Sequence, residues 1–214
     1  MEFQHNTLTE KVFDYLKEKI ILHVYKPGER IDISKLVKEL SVSPIPIREA
    51  LQKLRARGLV DYKPHVGFFV HRFTAKEVAE IFDVRLVLEK FALEQGFSNL
   101  TINDLKQLVS LVNNARGKPR KVIEQYNQQI DHLLHHKIIL EHAKNDFLLF
   151  LMSFINDYIE FVRHLVPRGI TDFEEHVKII KALQKKDLEA AIQALEEHIQ
   201  SVKEDTLKWL EEKL

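Results

Sequence analysis

Four residues in the second half of the chain, Asp131, His135, His176 and His198, are of the types that hold a divalent transition metal. Asp131 and His135 are four apart, which places both on one face of a helix. His176 and His198 lie about equally far on either side of Lys185-Lys186-Asp187, so two antiparallel helices joined there would set them face to face. One carboxylate and three imidazoles suit Zn²⁺, Ni²⁺, Mn²⁺ or Fe²⁺ and leave positions for water or a ligand. The chain has no cysteine, which excludes disulfides and thiolate sites. Spacing alone leaves a plainer reading open, in which each histidine is solvated or hydrogen-bonded on its own helix. Arg85 and Arg163 lie on otherwise apolar faces and, with Asn145, are candidates to hold a small carboxylate. Arg85 could instead pair with Glu89, and Asn145 could merely cap a helix. A metal-bound water at such a site could also hydrolyse a substrate. Against that alternative, the sequence places no separate general base. A third alternative is a metal that only holds the fold together.

A second stretch carries a different chemistry. Val42 to Leu59 reads as a helix with Ser43 as its cap and Pro44 at the first turn, where a missing N–H costs little. Pro46 is also within the first turn, and Gly58 supplies the stop. Ile47, Ala50, Leu51 and Leu54 make an apolar stripe, while Arg48, Gln52 and Arg55 make a polar, basic one. A helix buried on one side and basic on the other suits a DNA major groove. An ordinary surface helix with solvated arginines has the same pattern.

The elements that must position these residues fall into two groups. Apolar periodicity predicts helices over Thr7–Val24 and Ile33–Leu40, the latter capped by Asp32 or Ser34, before the basic helix. Two short β-branched and aromatic runs follow, Leu59–Tyr62 and Gly67–His71, with a turn at Lys63-Pro64-His65-Val66. Three helices and a hairpin make a winged helix-turn-helix. From Glu77 onward, six helices are predicted and no strand, which points to an antiparallel bundle. One of the six runs unbroken from Arg120 to His142, and another is stopped by Pro167-Arg168-Gly169. The expected fold class is therefore mostly α, a winged helix-turn-helix over residues 1–73 and an all-α domain over 74–214. Net formal charge is zero, but residues 1–75 hold 13 Lys and Arg against 9 Asp and Glu, and the rest is acidic by the same margin. That favours phosphate contact by the first domain. No apolar run reaches the ~20 residues of a bilayer span, and no leader pattern opens the chain, so a cytoplasmic location and no membrane partner are expected.

Lys26-Pro-Gly-Glu-Arg-Ile, Leu36…Leu40, Val42-Ser43, Pro46-Ile-Arg-Glu-Ala-Leu-Gln-Lys-Leu, Gly58-Leu-Val and Gly67-Phe-Phe-Val resemble the N-terminal domain of GntR-type bacterial transcription regulators. The resemblance implies contacts to double-stranded DNA from Lys35, Ser43, Ile45, Arg48, Gln52 and Arg55, and from His65 and Gly67 at the wing. Two arginines usual in that family are replaced, by Ser34 and Pro44, and Val66 stands at an often basic wing position. Arg48 matches. Asp131-His-Leu-Leu-His135, Asn145-Asp-Phe-Leu148, Glu175-His176 and His198 resemble the helical FCD domain of the FadR-type branch. That resemblance implies a metal on Asp131, His135, His176 and His198 within an effector pocket for a small organic acid. It also implies a homodimer that reads a near-palindromic operator, most often as a repressor. Lys144 stands where the family usually has glycine.

Overall fold

The structure, a computed structural model, describes residues 7–166 and 170–213. The Pro167–Gly169 stop therefore lies outside the described residues. Among the described residues nine α-helices and three strands are found, and these residues form two compact units.

The first unit opens with α1 (Leu8–Ile21). Thr7 accepts from the N–H of Glu10, and Glu10 accepts from the N–H of Thr7, a reciprocal cap that satisfies two free donors. After β1 (Arg30–Ile31) comes α2 (Ile33–Leu40), capped by Asp32 rather than Ser34: the Asp32 carboxylate accepts from the N–H groups of Ser34 and Lys35. In α3 (Pro44–Ala56) Ile47, Ala50, Leu51 and Leu54 are fully buried, as the stripe requires. Ser43 stands at the N-cap of α3 but its hydroxyl makes no capping bond, contrary to expectation. Pro44 and Pro46 have no N–H, which leaves fewer donors in that turn to cap.

The wing is β2 (Val60–Lys63) against β3 (Gly67–Val70), antiparallel, in register from Val60↔Val70 to Lys63↔Gly67. The hairpin is not alone. β1 adds to the other edge of β3, pairing Arg30↔Phe69 and Ile31↔Phe68, so the sheet order is β1-β3-β2. Two residues are too few to show a strand period, so this strand left no mark in the sequence. Phe68, Val70 and Ile31 turn one face of the sheet into the core formed with Leu16, Ile20, Leu36 and Leu54.

By its contacts this unit also takes in Asp157–Leu165. Asp157 accepts from Arg57 Nη1 at 2.6 Å and Lys17 Nζ at 3.3 Å. The Tyr158 hydroxyl donates to the carbonyl of Arg57, and Phe161 meets Phe73 and His23 edge-on. These pairings join residues about 90 to 140 positions apart, and no local pattern announces them.

The second unit holds α4 (Ala75–Gly96), α5 (Ile102–Ala115), α6 (Arg120–Asp131), the start of α7 (Asp146–Arg163), α8 (Ile170–Gln184) and α9 (Leu188–Lys213). α8 packs on α9, α9 on α4, and α6 on α5 and α8. The predicted single helix over 120–142 departs from α geometry. His132–Leu140 is π-helical. The wider turn brings Leu134 and His135, then Ile138 and Ile139, inward as adjacent pairs. Lys144 then adopts a left-handed backbone, φ 51°, which accounts for a glycine being the easier residue there. Lys144→Gly is expected to raise stability by about 1 kcal/mol in urea unfolding. An unchanged or lower midpoint would contradict that account.

Candidate metal centre

Five helical segments place the site, α6 supplying Asp131 and Asn127. His135 comes from the π-helical turn, His176 from α8, His198 from α9, and Glu89 with Arg85 from α4. The three imidazoles are buried and converge, with ring centroids 5.3, 5.3 and 4.5 Å apart. One nitrogen from each lies within 4.8 Å of the other two. His135 Nε2 is 3.3 Å from His176 Nε2. Asp131 Oδ1 stands 4.0 Å from the first and 3.7 Å from the second. Two nitrogens bound tetrahedrally to one Zn²⁺ would be about 3.3 Å apart, so the spacing fits a shared ion.

The opposite nitrogen of each ring is anchored. His135 Nδ1 donates to Glu89 Oε2 at 2.5 Å, His176 Nδ1 to Asn127 Oδ1 at 2.9 Å, and His198 Nδ1 to Glu175 Oε2 at 2.9 Å. With its proton held on Nδ1, each ring turns its Nε2 to the other side. Burial pushes His198 down to about 4, against the pull of Glu175, so it is neutral at pH 7. Three imidazole nitrogens that converge with a carboxylate beside them are ligands of the type a divalent transition ion takes. The donor set therefore fits a divalent metal.

Arg85 and Glu89 are 4% and 1% exposed and paired, Nε to Oε1 at 2.6 Å. Burial alone would raise the Glu89 carboxyl, but Arg85 and His135 outweigh it and hold it well below the usual range. Burial would also lower Arg85, and Glu89 reverses that. Arg85 thus lies beside the cluster, with Nη2 3.4 Å from His135 Nδ1, but its Nε is committed to Glu89. Asn145 caps α7, accepting from the N–H of Leu148 at 3.0 Å. Arg163 pairs with Glu160 at 2.5 Å and belongs to the first unit. Neither is brought into the histidine cluster. His132 and His136 stack on each other, and His136 meets Asn156.

Sequence reasoning missed Glu89, Asn127 and Glu175 as anchors. Asn127 is four residues before Asp131, on the same helix face, and Glu175 adjoins His176. Those were the available signals. Glu89, four residues after Arg85, reads in the sequence only as its ion-pair partner.

The other candidate surface is on the first unit. Lys35, Ser43, Arg48, Gln52, Arg55 and His65 are all exposed, Gly67 partly so, and Ile45 is 67% exposed at the start of α3. Arg55 lies over the Tyr62 ring of the wing.

Residues 8–70 match the profile described as bacterial regulatory proteins, gntR family, and residues 80–201 match the FCD domain. The HTH-type transcriptional regulator YdhC of Bacillus subtilis (strain 168) is 33% identical over 87% of this chain and 85% of its own. The gluconate operon transcriptional repressor of Bacillus licheniformis is 28% identical over 87% of this chain and 80% of its own. The solved Zn²⁺-bound FCD domain of TM0439 is 27% identical, with a TM-score of 0.56 over 64% of this chain and 96% of that one.

The low His198 value predicts a pH dependence in chelator-treated protein. Its folded pKa, about 4, lies below the ordinary 6.5. Between those values the unfolded chain takes up a proton that the folded chain refuses, so stability is lost as pH falls from 6.5 towards 4. From pH 7 to 5 the wild type should lose about 2 kcal/mol more than His198→Gln in urea unfolding. Equal losses would contradict a buried neutral imidazole.

Proposed function

The chain belongs to the gntR family of bacterial regulatory proteins, with an FCD domain as its second half, and on that premise we propose that this DNA-binding transcription regulator is a metal-dependent, metabolite-responsive repressor. Its relatives are regulators, not enzymes, so the hydrolase alternative falls away. The observation that carries the reading is the set of three converging histidines whose Nδ1 atoms are all anchored, which turns the opposite nitrogens toward one another.

In this reading Asp131, His135, His176 and His198 hold a divalent transition ion of the Zn²⁺, Ni²⁺, Mn²⁺ or Fe²⁺ class. When bound, the ion supplies a Lewis-acidic centre able to take the carboxylate of a small organic acid. Glu89, Asn127 and Glu175 orient the rings, and Arg85 keeps Glu89 ionised and in place. Because Arg85 serves Glu89, while Asn145 and Arg163 are engaged elsewhere, the ion is the principal contact for the effector's carboxylate. The Zn²⁺-bound FCD relative supports the metal, and the gluconate operon repressor supports the sign of regulation.

The winged helix reads DNA with α3 in the major groove. Arg48, Gln52 and Arg55 face base edges, with Lys35 and Ser43 beside them, and Ile45 is an exposed apolar group suited to thymine methyls. His65 and Gly67 bring the wing to the minor groove. A homodimer reads a near-palindrome. Val84, Val87 and Phe91 support it, being exposed at helical spacing on α4, with Val87 66% exposed. Among the described residues no helix is long and apolar enough to cross a membrane.

Fluorescence anisotropy tests the whole reading. The metal-loaded protein should prefer a duplex from upstream of its own gene over a scrambled one at moderate salt. A screen of small carboxylates should find one that weakens cognate binding at least fivefold, the scale of a typical allosteric coupling, and chelation should abolish that response. Sequence-blind binding, or an effector response that survives chelation, would contradict the proposal.

A further inference from the structure

The winged-helix unit carries a cleft of about 590 Å³ that the sequence did not announce. One wall is β1 and the start of α2, Arg30 to Ser34. Another is Arg48 of α3, and a third is the wing from His65 to Phe68. Arg30 is exposed and lies across Gly67: a Cβ built on Gly67 would stand 3.4 Å from Arg30 Nε and 3.8 Å from Nη2. β1 pairs with β3, which sets Arg30 opposite Phe69, on the strand that begins at Gly67.

A helix in the major groove and a wing at the adjacent minor groove straddle one sugar–phosphate strand. That strand must run over the concave surface between helix and wing, which in this unit is the cleft. Arg30, Arg48 and His65 are the basic side chains lining it. Asp32, also in the lining, has its Oδ1 occupied by the first N–H groups of α2. Guanidinium groups pair with phosphate in a bidentate way. We propose that Arg30 is a phosphate clamp on the strand between the two grooves, a DNA contact carried by the short edge strand and not by the helix-turn-helix. It contributes affinity without discriminating bases. The inference rests on the DNA-binding reading above.

Its test is an anisotropy salt series on the full chain, comparing wild type, Arg30→Gln and Arg30→Lys on the upstream and scrambled duplexes. Wild type should lose affinity steeply as salt rises. Arg30→Gln should weaken both duplexes about tenfold, leave their ratio unchanged, and flatten the log K against log salt slope by about 0.9, one phosphate contact. Arg30→Lys should restore the slope and part of the affinity, which also shows that the position tolerates substitution. A wild-type slope in Arg30→Gln would overturn the clamp, as would a loss confined to the upstream duplex, which would mean base readout. Wild type that binds neither duplex would sink the DNA-binding reading, and the clamp with it, and is distinguishable from both.

Discussion

The candidate site depends on one constraint: each of three buried imidazoles has its Nδ1 proton tied to an acceptor. Glu89, Asn127 and Glu175 supply those acceptors from three different helices, and the three rings come from three segments as well. The tautomers and ring orientations therefore follow from packing α4, α6, α8 and α9 together. The cost is a fully buried carboxylate at Glu89. A lone buried carboxylate would be strongly destabilising, and it is tolerated because Arg85 lies one helical turn away and His135 donates to its other oxygen. Removing Arg85 would leave Glu89 buried with only the His135 donor, so the pair supports the candidate metal site without being part of its proposed ligand set.

The π-helical turn serves the same end. A regular α-helix through His132–Leu140 would bring fewer residues inward per turn. The wider turn carries both Leu134 and His135 into the interior, one to pack and one to reach Glu89. Asp131, immediately before it, keeps its carboxylate within 4.0 Å of two imidazole nitrogens. On the first unit a small irregularity again positions a functional group: two residues of β1 extend the wing sheet and deliver Arg30 to the cleft.

Much of this was legible in the sequence because amphipathic helices report their own period. The stripe Ile47, Ala50, Leu51, Leu54 specified α3 and its buried face, and Gly58 marked its end with φ +71°. The antiparallel pair about Lys186 set His176 and His198 within ring contact. What the sequence did not disclose depends on distant or very short features. β1 is shorter than any period. Asp157 meets Arg57 and Lys17 across 100 and 140 positions. The Ser43 hydroxyl does not cap, a departure no residue-by-residue preference anticipates. Arg163 has the right type for an effector contact, but its local partner, Glu160, claims it. Glu89 was visible only as an ion-pair partner, because its second bond reaches a residue 46 positions on.

X-ray absorption at the metal edge of Zn²⁺-loaded protein tests the central claim most directly. The account predicts imidazole scattering from three histidines plus one carboxylate oxygen, with ligand distances of about 2.0–2.1 Å, and loss of one imidazole shell in His176→Ala. A shell of oxygen ligands without imidazole scattering, or a spectrum unchanged by His176→Ala, would contradict it and leave the three anchored histidines as a purely structural network.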